Sequence, residues 1–206
     1  MAYRPTEKTR AHKLAQRQKL LNAAVSLVSE RGFQGLKISE IARRADQATG
    51  SFYKHFKSKE DLCAEVFRIA TVREVEKVRE AALSDTSQSS TERLLHAIDV
   101  FAQRAIQGRQ MAYALIAEPV DPAVEKERLI YRQAYADIYT ELIQSGIETG
   151  EFTPQLASLS AAAIVGALSE SLVRPLTVAV QDNTEIAQQD LIEAIQSFCL
   201  RAVGAQ

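Results

Sequence analysis

Apolar residues recur at helical spacing along almost the whole chain, and the segments they mark are short at first and long afterwards. Leu20, Ala23, Ala24, Leu27 and Val28 fall at i, i+3, i+4, i+7 and i+8, the stripe of an amphipathic helix that begins near Leu14. Gly32 closes it after Arg31, and Phe33 is placed to pack back on it. Ile38, Ile41, Ala42 and Ala45 share one face of a short second helix. Asp46-Gln47-Ala48 predicts a tight polar turn. Thr49 to His55 follows as another short helix, held to the core by Phe52 and Phe56. Ser58 then precedes Lys59-Glu60-Asp61, a capping pattern with acids in the first turn. The fourth helix it starts runs to about Leu83.

The remainder repeats the theme with longer elements. A serine-rich loop, 84–90, leads to a helix capped by Thr91 and ended by Gly108. A short helix covers Arg109 to Ala117, and Asp121-Pro122 supplies N-cap and first residue of the next, which Gly150 ends. Two final helices, Ser158 to Val173 and Glu185 to Val203, are separated by Pro175 and by Gln181-Asp182-Asn183. Hydrophobic residues make up 46% of the chain, enough for a core, and β-branched alternation is hard to find. The expected fold class is all-α with about nine helices. Residues 1–13 are expected as a flexible basic arm, 14–57 as a three-helix domain, and 58–206 as a second, larger helical domain.

Charge divides the chain the same way. Residues 1–60 hold 13 basic and 5 acidic side chains, whereas 61–206 hold 12 and 21. A basic first third joined to an acidic remainder suits one part that meets a polyanion and another that stays away from it.

The pair Ile38–Ala45 and Thr49–His55, joined by a three-residue turn, fits a helix-turn-helix whose second helix lies in a major groove of duplex DNA. Ala48, Thr49, Gly50 and Ser51 are small, so backbone can approach the bases closely. Tyr53, Lys54, His55, Lys57 and Lys59 supply hydroxyl, imidazole and ammonium donors.

Ile38-Ser39-Glu40-Ile41-Ala42-Arg43-Arg44-Ala45, Thr49-Gly50-Ser51-Phe52-Tyr53-Lys54-His55-Phe56 and Lys59-Glu60-Asp61-Leu62 together resemble the signature of the tetracycline-repressor (TetR) family. The resemblance covers roughly 14–67. It implies a homodimer on a palindromic operator, with recognition helices about 34–36 Å apart. It also implies that Ser39, Thr49, Ser51, Tyr53, His55 and Lys59 occupy DNA-contact positions. Lys37 and Lys54 join them on charge, and Gly50 on size. The arm, with Arg4, Lys8, Arg10 and Lys13, is a further candidate for an adjacent groove. The chain departs from the signature at Lys37, which replaces a Ser/Thr cap, and at Asp46, Gln47 and Ala48 in and after the turn.

For the second half the resemblance implies a ligand cavity among the middle helices and a dimer bundle from the last two. Small residues at Ala161, Ala162, Ala163, Gly166 and Ala167 suit close helix packing, and Ile186, Leu191, Ile192, Ile195 and Phe198 add apolar surface. Phe101, Met111, Tyr113, Ile116, Tyr131, Tyr135 and Tyr139 are candidate cavity residues; an aromatic stripe at this spacing also fits plain core. His96, Arg104 and Arg132 are candidates to orient a polar group. The expected effector is apolar or amphipathic, such as a drug-like molecule or an acyl thioester.

The histidines, His12, His55 and His96, are scattered, and no zinc-protease, Cys-x-x-Cys, nucleophile-elbow or phosphate-loop pattern occurs. Neither catalysis, a cofactor nor a metal is expected. Cys63 and Cys199 read as ordinary reduced thiols. No apolar leader is visible, and Leu156–Leu176 is broken by Glu170, Arg174 and serines, so a cytoplasmic protein without a membrane span is expected. Two alternatives stay open: a ligand-binding or scaffold protein with a degenerate helix-turn-helix, favoured by Asp46, Gln47 and Ala48, and an activator rather than a repressor.

Overall fold

The computed structural model describes residues 6–177 and 187–205. They fold into helices with no strand. The order is α1 (Glu7–Arg31), α2 (Ile38–Arg44), a 3-10 helix (Thr49–Lys54), α3 (Lys59–Leu83), α4 (Ser90–Gln107), α5 (Arg109–Ile116), α6 (Pro122–Glu148), α7 (Ala157–Thr177) and α8 (Gln188–Val203).

The caps explain most boundaries. Ser58 accepts the Asp61 amide at the start of α3. Asp121 accepts from Ala123 and Val124, with Pro122 as first residue of α6. Each such cap contributes about 1 kcal/mol. Gly32 ends α1 at φ 73, a left-handed conformation that disfavours a β-carbon.

Three expectations need correction. α1 starts at Glu7, capped by Thr6, so residues 7–13 are helical rather than a flexible arm; Arg4 lies outside the described residues. Residues 7–15 are exposed, which is why no apolar period announced them. α4 is capped by Ser89, not Thr91: Ser89 and Glu92 form a reciprocal capping box. α7 continues through Pro175 to Thr177, because Leu172 and Leu176 on its buried face hold the last turn in the core. The start expected for α8 at Glu185, together with Ile186, lies outside the described residues.

There are two apolar cores. The first gathers Leu20, Ala24, Leu27, Ile41, Phe52, Phe56, Leu62 and Phe67, and reaches into the second half through Ala114 and Val124. The other gathers Val78, Leu94, Ile98, Tyr139, Leu142, Ile164, Leu168 and Ile195. α3 serves both, its first half in one and its second half in the other. The edge expected at residue 58 therefore opens a shared helix. α7 is long and apolar enough, by length and composition alone, to cross a membrane, a test that the core helix of a soluble protein also meets. Here it is a packed helix with eight buried residues.

Asp46 sits at φ 54 in the turn after α2. Glycine occupies that region without the steric cost that falls on a residue with a β-carbon. Asp46→Gly is accordingly expected to be neutral or to raise stability by up to about 1 kcal/mol in urea denaturation. A loss above that size would show that the aspartate side chain holds the turn.

Candidate DNA interface and effector cavity

α2 and the 3-10 helix are pinned to α1 from below. Arg44 pairs with Glu30, and Arg31 with Glu40 at 2.9 Å. Gln47 donates to the Gln16 carbonyl of α1 at 2.8 Å and accepts from Ser51 at 3.0 Å. Gln47 therefore ties the turn to α1 and to the 3-10 helix. Arg17 pairs with Glu65 and lies 4.6 Å over the Phe56 ring, closing the other side.

The second helix of the motif is thinner than expected: a 3-10 helix of 6 residues in which Phe52 is the buried one. It packs on Phe56 at 5.5 Å and meets Tyr53 edge-on at 5.3 Å. Everything opposite faces outward. Tyr53 is 62% exposed, and Lys37, Ser39, Thr49, Gly50 and Lys54 are exposed with it. A β-carbon on Gly50 would meet nothing within 4 Å, so packing inside the chain does not demand glycine there. Ser51 and Lys59 are already engaged: Ser51 donates to the Ala48 carbonyl at 2.7 Å, and the Lys59 ammonium donates to the Leu36 carbonyl at 3.0 Å. An ammonium has three donors, so Lys59 keeps two. His55 is half-buried, and its Nδ1 has no hydrogen-bond partner among the described residues. Burial, then the charges of Lys13, Arg17 and Lys54, push its imidazole below the usual range and favour the neutral form.

A cavity of about 350 Å³ opens between α3, α4, α5, α6 and α7, with Val25 of α1 in its wall. Of the candidates, Phe101, Arg104, Met111, Ile116, Tyr131, Tyr135 and Arg132 line it. Tyr113 does not; it is half-buried against the second core, on the far side of short helix α5. Tyr139 is also absent from the lining, fully buried with its hydroxyl unpartnered among the described residues. His96 is likewise not part of the wall. α3 adds Phe67, Ile69, Ala70, Thr71, Arg73, Glu74 and Val78 to the wall, residues whose pattern reads as ordinary core and surface. Arg104 and Glu74 pair inside the cavity, Nη2 to Oε1 at 2.8 Å. Among the described residues, no group of three or more His, Cys, Asp or Glu is arranged to hold a metal.

The cavity and the DNA-facing half are joined twice. Tyr131 packs on Phe67 at 6.0 Å, and Phe67 stacks on Phe33 at 6.2 Å. Glu118, 5% exposed, accepts the Phe33 and Gln34 amides at 2.8 and 2.9 Å. Arg128, buried at the cavity wall, donates to the carbonyls of Leu115 at 2.9 Å and Glu118 at 2.7 Å. A β-carbon on Gly32 would come within 2.6 Å of the Glu118 carboxylate.

The sequence signature described as bacterial regulatory proteins, tetR family, matches residues 20–66, the helix-turn-helix just built. That of the tetracyclin repressor-like C-terminal domain matches residues 87–172. The chain belongs to the TetR family. It is a transcriptional regulator of that family. The HTH-type transcriptional repressor KstR2 of Rhodococcus jostii is 28% identical over 144 residues, 68% of this chain and 69% of that one. The fatty acid metabolism regulator protein of Bacillus subtilis is 25% identical over 158 residues, 74% of this chain and 79% of that one. Among solved structures, the fatty acid degradation regulator FadR from Bacillus halodurans superposes with a TM-score of 0.73 at 22% identity, covering 90% of this chain and 94% of that one. FadR from Bacillus subtilis, solved with stearoyl-CoA, gives 0.71 at 22% identity over 90% and 97%. These likenesses place the TetR fold on the whole described chain.

Proposed function

We propose that this TetR regulator works in the cytoplasm as a homodimeric repressor. It holds a palindromic operator until an apolar or amphipathic small molecule enters the cavity. One observation carries the reading: α3 walls the cavity with Phe67 to Val78, while its N-terminus carries Lys59 at the DNA-facing edge. A ligand that displaces α3 moves the reading helix with it. Lys37, Ser39, Thr49, Gly50, Ser51, Tyr53, Lys54, His55 and Lys59 form the proposed DNA face; Phe101, Arg104, Met111, Ile116, Tyr131 and Tyr135 form the proposed effector site.

The dimer is supported by apolar surface on the last two helices. Leu159 is 65% exposed and Phe198 is 50% exposed, and Ala162, Ala163 and Gly166 lie open between small neighbours. Large apolar side chains left in water on one face favour association.

The test is titration of the protein onto a fluorescent duplex from its own upstream region, repeated across salt concentrations. With about six phosphates contacted, affinity should fall about a thousandfold between 50 and 200 mM salt. A slope near zero in the log–log plot rejects charge-driven DNA contact.

A further inference from the structure

We infer that the effector is an amphipathic anion, its apolar body inside the cavity and its carboxylate or phosphate held at the rim by Arg73 and Arg132. The inference rests on the reading of the cavity as the effector site. Five charged side chains line it: Arg73, Arg104, Arg128, Arg132 and a single acid, Glu74. Glu74 is taken by Arg104. Arg128 is buried and spends its donors on Glu125 and on the carbonyls of Ala114, Leu115 and Glu118. Glu127, on the same helix, pairs with Arg68 at 2.8 Å.

Arg73 and Arg132 remain. Both line the cavity and both are exposed, so they stand where it meets solvent, one on α3 and one on α6. Neither makes an ion pair or hydrogen bond among the described residues. Arg132 is instead repelled by Arg128 one turn away. Two unmatched guanidinium groups beside an apolar hollow focus a field that attracts an anion and opposes a cation. Planar guanidinium forks match carboxylate and phosphate oxygens alike.

The interior fits the other end of such a molecule. Thr71 and Ser169 spend their hydroxyls on carbonyls of their own helices, and Tyr131 spends its hydroxyl on the Arg68 carbonyl. Tyr135 alone of these is open: it is nine-tenths buried, lines the cavity, and its hydroxyl bonds to nothing among the described residues. A phenol in that position donates to a neutral oxygen on an otherwise apolar body.

Calorimetric titration of the full chain with dodecanoate, dodecanoyl-CoA, dodecanol and dodecyltrimethylammonium tests this, each below its micelle concentration. At least one anion should bind about tenfold or more tighter than dodecanol, and the cation weakest of all. Dodecanoate binding tighter identifies a carboxylate head; dodecanoyl-CoA binding tighter identifies a phosphate head. Arg73→Gln with Arg132→Gln should cost the anion about tenfold and leave dodecanol within twofold, while the double lysine variant keeps most of the anion affinity. Dodecanol matching both anions, or losing as much as they do in the glutamine variant, overturns the charge assignment and leaves the cavity reading intact. Silence from all four probes overturns the cavity reading itself.

Discussion

Glu118→Ala is expected to cost the folded protein about 2–5 kcal/mol, read from urea denaturation followed by circular dichroism. Its carboxylate accepts two backbone amides, those of Phe33 and Gln34, across more than eighty residues of chain. Phe33 is buried, so its amide finds no water when the carboxylate goes. Each orphaned donor costs about 1–3 kcal/mol. Glu118→Gln keeps one acceptor oxygen and should lose about half as much. The contact has no local substitute, because Gly32 is the residue that makes room for it. A Glu118→Ala variant within about 0.5 kcal/mol of wild type would show the joint to be dispensable.

Phe52→Ala is expected to abolish operator binding while leaving the second half folded. Phe52 is the buried residue of the 3-10 helix and is fully inaccessible to solvent. Truncating a buried phenylalanine costs about 3–5 kcal/mol. A 3-10 helix this short has little stability of its own, so the cost falls on the element that faces DNA. Fluorescence anisotropy should show operator affinity reduced at least about a hundredfold. Helical signal from α4 to α8 should persist. Tyr53→Phe, which keeps the edge-on ring contact and removes only the exposed hydroxyl, should fold normally and weaken binding far less. Wild-type affinity in Phe52→Ala would remove this helix from the DNA face.

How much was legible from sequence differs by element, and the differences have physical causes. The stripe Leu20 to Val28 could be read because one face of α1 is buried there; the same helix upstream of Leu20 is exposed and carries no period. Asp121-Pro122 announced α6 because both residues act locally. Ser89 is one of several neighbouring serines, and only the Ser-Ser-Thr-Glu spacing of a reciprocal cap sets it apart from Thr91. Pro175 misled because its local cost is outweighed by the burial of Leu172 and Leu176.

The candidate site divides likewise. Tyr131 and Tyr135 stood out as aromatic residues one turn apart, and they reach the cavity together with Phe101. Tyr113, a candidate as an aromatic residue without that spacing, sits on a helix of 8 residues whose phase sequence alone does not set. Glu118, beside a proline, and Arg128, within a long helix, carry no sequence pattern that marks them as a joint. Their role depends on two segments meeting in space, which no local pattern encodes. Gln47 is the same case: as a turn residue it seemed a defect, and its amide ties the turn to α1.

The two cysteines fall one to each apolar core, Cys63 in the first and Cys199 in the second. Burial pushes their thiols up to about 12 and about 11, so neither is a thiolate at neutral pH. Thiol-directed reagents therefore find no reactive thiolate while the two cores are closed. Each cysteine reports on the opening of its own core, and on that core alone.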